Sequence, residues 1–119
     1  MKIVKKIIGF LMGALLIFGS TGHFFNPETS TGLIPAFLPV DLVHWAAGIV
    51  ELLLGIGVFI PGYRKKALLG ITLLMIVFLP IHVIDLLKDN PAIGTKTVAM
   101  VRLAVQFVFI YLPWFASKD

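Results

Sequence analysis

The chain alternates between long, nearly unbroken apolar runs and short segments rich in charge, proline and glycine. Four runs stand out, at residues 3–20, 41–60, 67–87 and 97–115. Crossing the hydrocarbon layer of a bilayer takes about 20 apolar residues in helical conformation, and each run has roughly that length. Between them lie Asn26-Pro27 with Pro35 and Pro39, then Pro61-Gly62, then Asn90-Pro91 with Gly94. Such combinations end helices and start turns. The pattern predicts an all-α fold: one integral membrane domain over residues 1–119, built as a bundle of four transmembrane helices.

Composition narrows the class further. Of the 119 residues 59% are hydrophobic and 13% charged, where soluble domains average roughly half and a quarter. The mean hydropathy is +1.02. A chain this short cannot cover a soluble surface with so few charges, which excludes soluble enzymes, nucleic-acid modules and disordered tails. The bilayer is the expected partner, and nucleic acid is not, despite a net charge of +4.

Where the charges fall explains that excess. Lys2, Lys5, Lys6, Arg64, Lys65, Lys66 and Lys118 flank the runs on one side, and only Lys88 and Lys96 flank them on the other. The positive-inside rule then places both termini in the cytoplasm of a multi-pass protein of the cell membrane, with a bacterial cytoplasmic membrane as the expected setting. Trp45 falls near the outer interface, and Tyr63, Tyr111 and Trp114 near the inner one, as amphipathic rings do. The N-terminus also has the lysines, apolar run and small residues of a secretory signal peptide. Gly9 and Gly13, four residues apart, favour instead a retained helix that another helix approaches closely. The connection from Gly22 to Val40 contains Phe24, Phe25, Leu33, Ile34, Phe37 and Leu38 but no Lys or Arg. It reads as a lid or short interfacial helix on the outer face.

Candidate chemistry lies in the polar residues within the spans, each of which costs a few kcal/mol in hydrocarbon. They are Glu51, Asp85 and Arg102, with His44, His82 and Gln106, and with His23 at the end of the first span. His44, Gly48, Glu51 and Gly55 form one helical stripe, His82 and Asp85 share a face, and Ala99, Arg102 and Gln106 form another stripe. All but Glu51 and Gln106 lie in the outer part of the spans. The expectation is a polar cup open to the outer face and roofed by the first connection. Two readings of the charges compete: a structural ion pair of Arg102 with Glu51 or Asp85, or a site that binds a ligand or handles protons. No metal site is expected, because cysteine is absent and the three histidines fall on three spans without a ligand motif. Pro80 predicts a kink in the third span.

These residues resemble the DoxX and DoxX-like family of small four-helix membrane proteins over nearly the whole chain. The resemblance rests on Gly22-His23-Phe24, the Pro35 to Pro39 segment, Gly48-Ile49-Val50-Glu51 with Gly55, Phe78-Leu79-Pro80, and Arg102 through Gln106. His82 departs from the asparagine often found there in the family. The resemblance implies an accessory membrane subunit of a respiratory, redox or redox-stress assembly, not a catalyst on its own. It implies a pocket for a quinone-like or other small amphipathic ligand, or a surface that docks a redox partner. In that role Arg102 would hold a carbonyl or anionic group, Gln106 would orient it, and Glu51 with His82 would exchange a proton. A small proton-coupled transporter, with Glu51 as the carboxylate, is the alternative. A non-catalytic membrane anchor or assembly factor is the third reading. The sequence names no cofactor and no oligomeric state.

Overall fold

The four apolar runs are helices α1 (Lys2–Phe25), α2 (Val40–Val58), α3 (Arg64–Leu87) and α4 (Lys96–Ser117). The computed structural model describes residues 1–29, 31–88, 91 and 94–118; Asn90, expected to help end the third span, lies outside them. All four helices are long and apolar enough to cross a membrane. Two single-turn 3-10 helices, Pro27–Thr29 and Thr31–Leu33, lie between α1 and α2.

Helix ends depart from the sequence limits for local reasons. The first helix runs on from Ser20 to Phe25, through a stretch that reads as a breaker. Ser20 Oγ donates to Ile17 O and Thr21 Oγ1 to Phe18 O, both at 2.6 Å, so both hydroxyls are satisfied by their own helix. His23 therefore sits in the last turn of α1, and the expected lid is shorter, built of the two 3-10 turns. Helix α2 stops at Val58, where Arg64 Nε donates to the Val58 carbonyl at 2.8 Å. Helix α3 begins at that same Arg64. Thr95 caps α4 by accepting from Val98 N at 3.2 Å, and α4 continues through Pro113 to Ser117.

The helices form a closed ring in chain order. Helix α1 packs on α2, and α3 on α4, more extensively than α2 on α3 or α4 on α1. Both termini and the short α2–α3 turn lie at one end, where Gly9 packs near Leu68 and Lys5 lies over the Phe115 ring. The α1–α2 and α3–α4 connections lie at the other.

Burial is inverted relative to a soluble protein. Phe18, Leu53, Leu73 and Met100 are more than 60% exposed, while His44, Glu51, His82, Asp85 and Gln106 are buried. Such a surface suits lipid, and a dry interior is where polar groups find partners. The buried apolar cluster of Met12, Leu16, Val58, Ala67, Leu68, Ile71 and Met75 fills the half nearer the termini. The buried charges occupy the other half.

Two different devices hold the helix pairs. Between α1 and α2 the backbones meet at glycine: a Cβ on Gly55 would stand 2.8 Å from the Gly13 carbonyl oxygen. Between α3 and α4 two side chains reach across. Gln106 Nε2 donates to Met75 O at 2.7 Å, and Thr72 Oγ1 donates to Ile110 O at 2.9 Å. Each contacts a carbonyl next to one that a proline leaves without its helical donor, Ile76 before Pro80 and Phe109 before Pro113. Helix α3 passes through Pro80 unbroken.

Candidate functional site

The last turn of α1 brings His23 against α2. Its Nε2 lies 2.7 Å from Glu51 Oε2. Oε2 receives no aligned hydrogen bond, so the contact is a close approach set off the ring axis, an ion pair when His23 is protonated. The other ring nitrogen, Nδ1, is 2.9 Å from His44 Nδ1, and His44 Nε2 is 3.0 Å from Thr31 Oγ1. Thr31 Oγ1 in turn donates to Pro27 O at 2.7 Å. A continuous polar array thus runs from the middle of α2 to the first connection. Gly19 makes room for it: a Cβ there would lie 2.8 Å from Glu51 Oε1.

Beside the array is a cavity of about 540 Å³, bounded by all four helices and by Leu33 and Ile34 of the first connection. His23, Glu51, His82, Arg102 and Gln106 line it, among apolar side chains that include Leu16, Met75, Phe78 and Phe109. Phe18, 76% exposed on the outside of α1, also reaches its edge. The cavity therefore meets the apolar surface of the bundle at α1. Its volume is within the ~300–1,000 Å³ usual for small-molecule sites.

The five lining residues are those expected of the cup, but their roles differ. Arg102 makes no ion pair with Glu51 or Asp85. Its guanidinium carbon lies 5.8 Å from the centroid of the Phe109 ring. Gln106 is committed to α3 through its amide nitrogen, and its Oε1 is buried without a hydrogen-bond partner. It shapes the wall and is not available to orient a ligand by that nitrogen. His82 is buried at the cavity and makes no hydrogen bond with the described residues.

Two expected members lie elsewhere. Asp85 is one turn beyond His82, and its Oδ1 is 3.8 Å from Lys88 Nζ. Lys88 also donates to Gly32 O at 3.1 Å, so Asp85 belongs to the tether between α3 and the first connection. His44 stands behind His23, in a separate vestibule of about 420 Å³ lined also by Phe24, Asp41 and Trp45. Thr31 and Gly19 are contributors that the sequence reading missed. Nothing local signals a bond between His44 and a threonine 13 positions away. Among the described residues no group of three or more His, Asp or Glu side chains is placed to hold a metal ion.

Among known proteins, no curated sequence and no solved structure matches the chain. One family model does match, over residues 12–117, a span that takes in α1 from Met12 onward, the other three helices and every residue of the array and cavity wall. The chain therefore belongs to the family described as Domain of unknown function (DUF8561).

Proposed function

We propose that the protein is a DoxX-like accessory subunit of a membrane redox or respiratory assembly, with both termini cytoplasmic. Its pocket takes a small amphipathic ligand with a carbonyl or anionic head, a quinone being the type. One observation carries the reading: Arg102, the cavity's cation, has no carboxylate partner among the described residues while it faces an apolar-walled space. An unpaired guanidinium in hydrocarbon is costly unless something neutralises or solvates it. A ligand oxygen does so with charge-assisted hydrogen bonds.

In this reading Arg102 anchors the head, and Phe78, Met75 and Leu16 pack on its ring. Glu51 and His82 stand on the facing walls to exchange a proton. The test is thermal unfolding of the detergent-solubilised protein with short-chain ubiquinone and menaquinone analogues, on wild type and Arg102→Ala. The expected result is a rise in Tm for the wild type that Arg102→Ala abolishes. No rise with either analogue removes the quinone reading.

A proton-coupled transporter is the second reading. It is favoured by the buried Glu51 carboxylate held against His23. Substrate-dependent proton flux in proteoliposomes, lost in Glu51→Gln, is its signature.

A further inference from the structure

His23 lines both the cavity and the vestibule. The array that passes through it invites a count of protons. Thr31 spends its hydroxyl hydrogen on Pro27 O, so it accepts from His44, and His44 Nε2 must carry a proton. The 2.9 Å between the two Nδ1 atoms holds one proton, since two bare lone pairs would repel at that distance. The 2.7 Å between His23 Nε2 and Glu51 Oε2 calls for another, carried by one of the two groups, although no N–H points along this contact. A bare lone pair and a carboxylate oxygen would also repel there. Three protons are needed, and two neutral imidazoles with a carboxylate supply two. The array therefore holds one extra proton and is neutral as a whole, which is the cheapest charge state in a low-dielectric interior.

That extra proton has three homes. It can sit on Glu51 as the carboxylic acid, on His23 as the imidazolium, or on His44 as the imidazolium. Between the two rings the proton is already hydrogen-bonded, and at Glu51 a turn of the flexible carboxyl group onto the Nε2 axis completes the path across 2.7 Å. From the acid form, the Glu51 O–H proton passes to His23 Nε2 while the His23 Nδ1 proton passes to His44 Nδ1. One O–H and one N–H bond break, two N–H bonds form, and no electrons leave the system. His44 then carries the charge at the vestibule, where the exposed Asp41 carboxylate stands one turn away on α2.

We infer that His23 and His44 form a proton relay between Glu51 inside the bundle and the vestibule beside Asp41. The groups facing the relay are Glu51 and Asp41 from α2, the Thr31 hydroxyl from the first connection, His82 from α3 and Arg102 from α4. Neither His82 nor Arg102 offers a continuous hydrogen-bonded path to the vestibule among the described residues, and the Thr31 hydroxyl spends its proton on Pro27 O. The relay follows from the array alone and does not depend on what occupies the cavity.

The test uses the full-length detergent-solubilised protein without added ligand. A rapid pH change is followed by time-resolved infrared absorption of the Glu51 carboxyl group, the band being identified by its loss in Glu51→Gln. Breaking the relay with His44→Ala should slow protonation of Glu51 by about a hundredfold, and added imidazole should restore it. His44→Gln, which keeps the bulk and hydrogen bonding but carries no proton at this site, should be equally slow and covers the case in which His44→Ala does not fold. Unchanged rates in the folded variants overturn the relay, and so does a wild-type Glu51 band that ignores pH. A quinone that fails to raise the Tm leaves the relay standing. A quinone that binds while these rates stay equal leaves the pocket and removes the relay.

Discussion

Gly19 and Glu51 share one small volume: a side-chain carbon on Gly19 would stand 2.8 Å from Glu51 Oε1. The obstacle is the far end of a flexible side chain, so Gly19→Ala should fold. Its gain of about 1 kcal/mol in helix propensity offsets the crowding, leaving the Tm within a few degrees of wild type. What changes is the carboxylate, which must leave its place beside His23. A shifted or lost Glu51 carboxyl band in the infrared spectrum at unchanged Tm is the expected pairing.

Gly55→Ala offers the opposite case. There the added carbon would meet backbone, the Gly13 carbonyl at 2.8 Å and the Ile17 nitrogen at 3.1 Å. Backbone cannot step aside without parting α1 from α2, and overpacking of this kind costs about 1–3 kcal/mol. The Tm of Gly55→Ala should fall well below that of Gly19→Ala; equal values would refute the close backbone seam.

Arg102→Met tests the missing ion pair. If Arg102 neutralised a carboxylate, its loss would strand a buried charge at a cost of about 3–5 kcal/mol. With no such partner, an apolar side chain of similar length should leave the Tm unchanged or raise it.

His23→Gln makes the reverse prediction. Glu51 is buried and loses its ion-pair partner, at a cost of about 3 kcal/mol, the low end for a broken buried pair. Glu51→Gln in the same chain should recover most of that loss. Chemical denaturation of both single variants and the double variant gives the coupling energy, and additivity would show that the pair does not interact.

Topology can be read by labelling, because the chain contains no cysteine. With cytoplasmic termini, Glu28→Cys should react with a membrane-impermeant maleimide in intact cells. Lys65→Cys should react only after the membrane is opened. The opposite pattern reverses the orientation inferred from the lysines.

The four helices were legible along the chain, because the length of an apolar run is a local property. The helical stripes likewise pointed to Glu51, Arg102 and Gln106, three of the five candidates that line the cavity. The end of α1 was not legible. Gly19-Ser20-Thr21-Gly22 looks like a turn until the hydroxyls of Ser20 and Thr21 are seen to bond within the helix. Pairings across the bundle were hidden too. Glu51 is as reasonable a partner for Arg102 as for His23 on charge and depth, and only the packing of α1 on α2 decides between them. Asp85 shows the same limit, since Lys88 is three residues away and takes it out of the cup.

Arg102 leaves the membrane-embedded region with an uneven electrical account. In the proposed relay the Glu51–His23–His44 array is neutral, and Asp85 is offset by Lys88. Among the described residues one positive charge then remains, on α4, in a medium where field lines are weakly screened. A cation drawn from the bilayer would meet repulsion on entering. An anion would bring the interior to neutrality, so on the proposed reading sign would sort ligands before shape does.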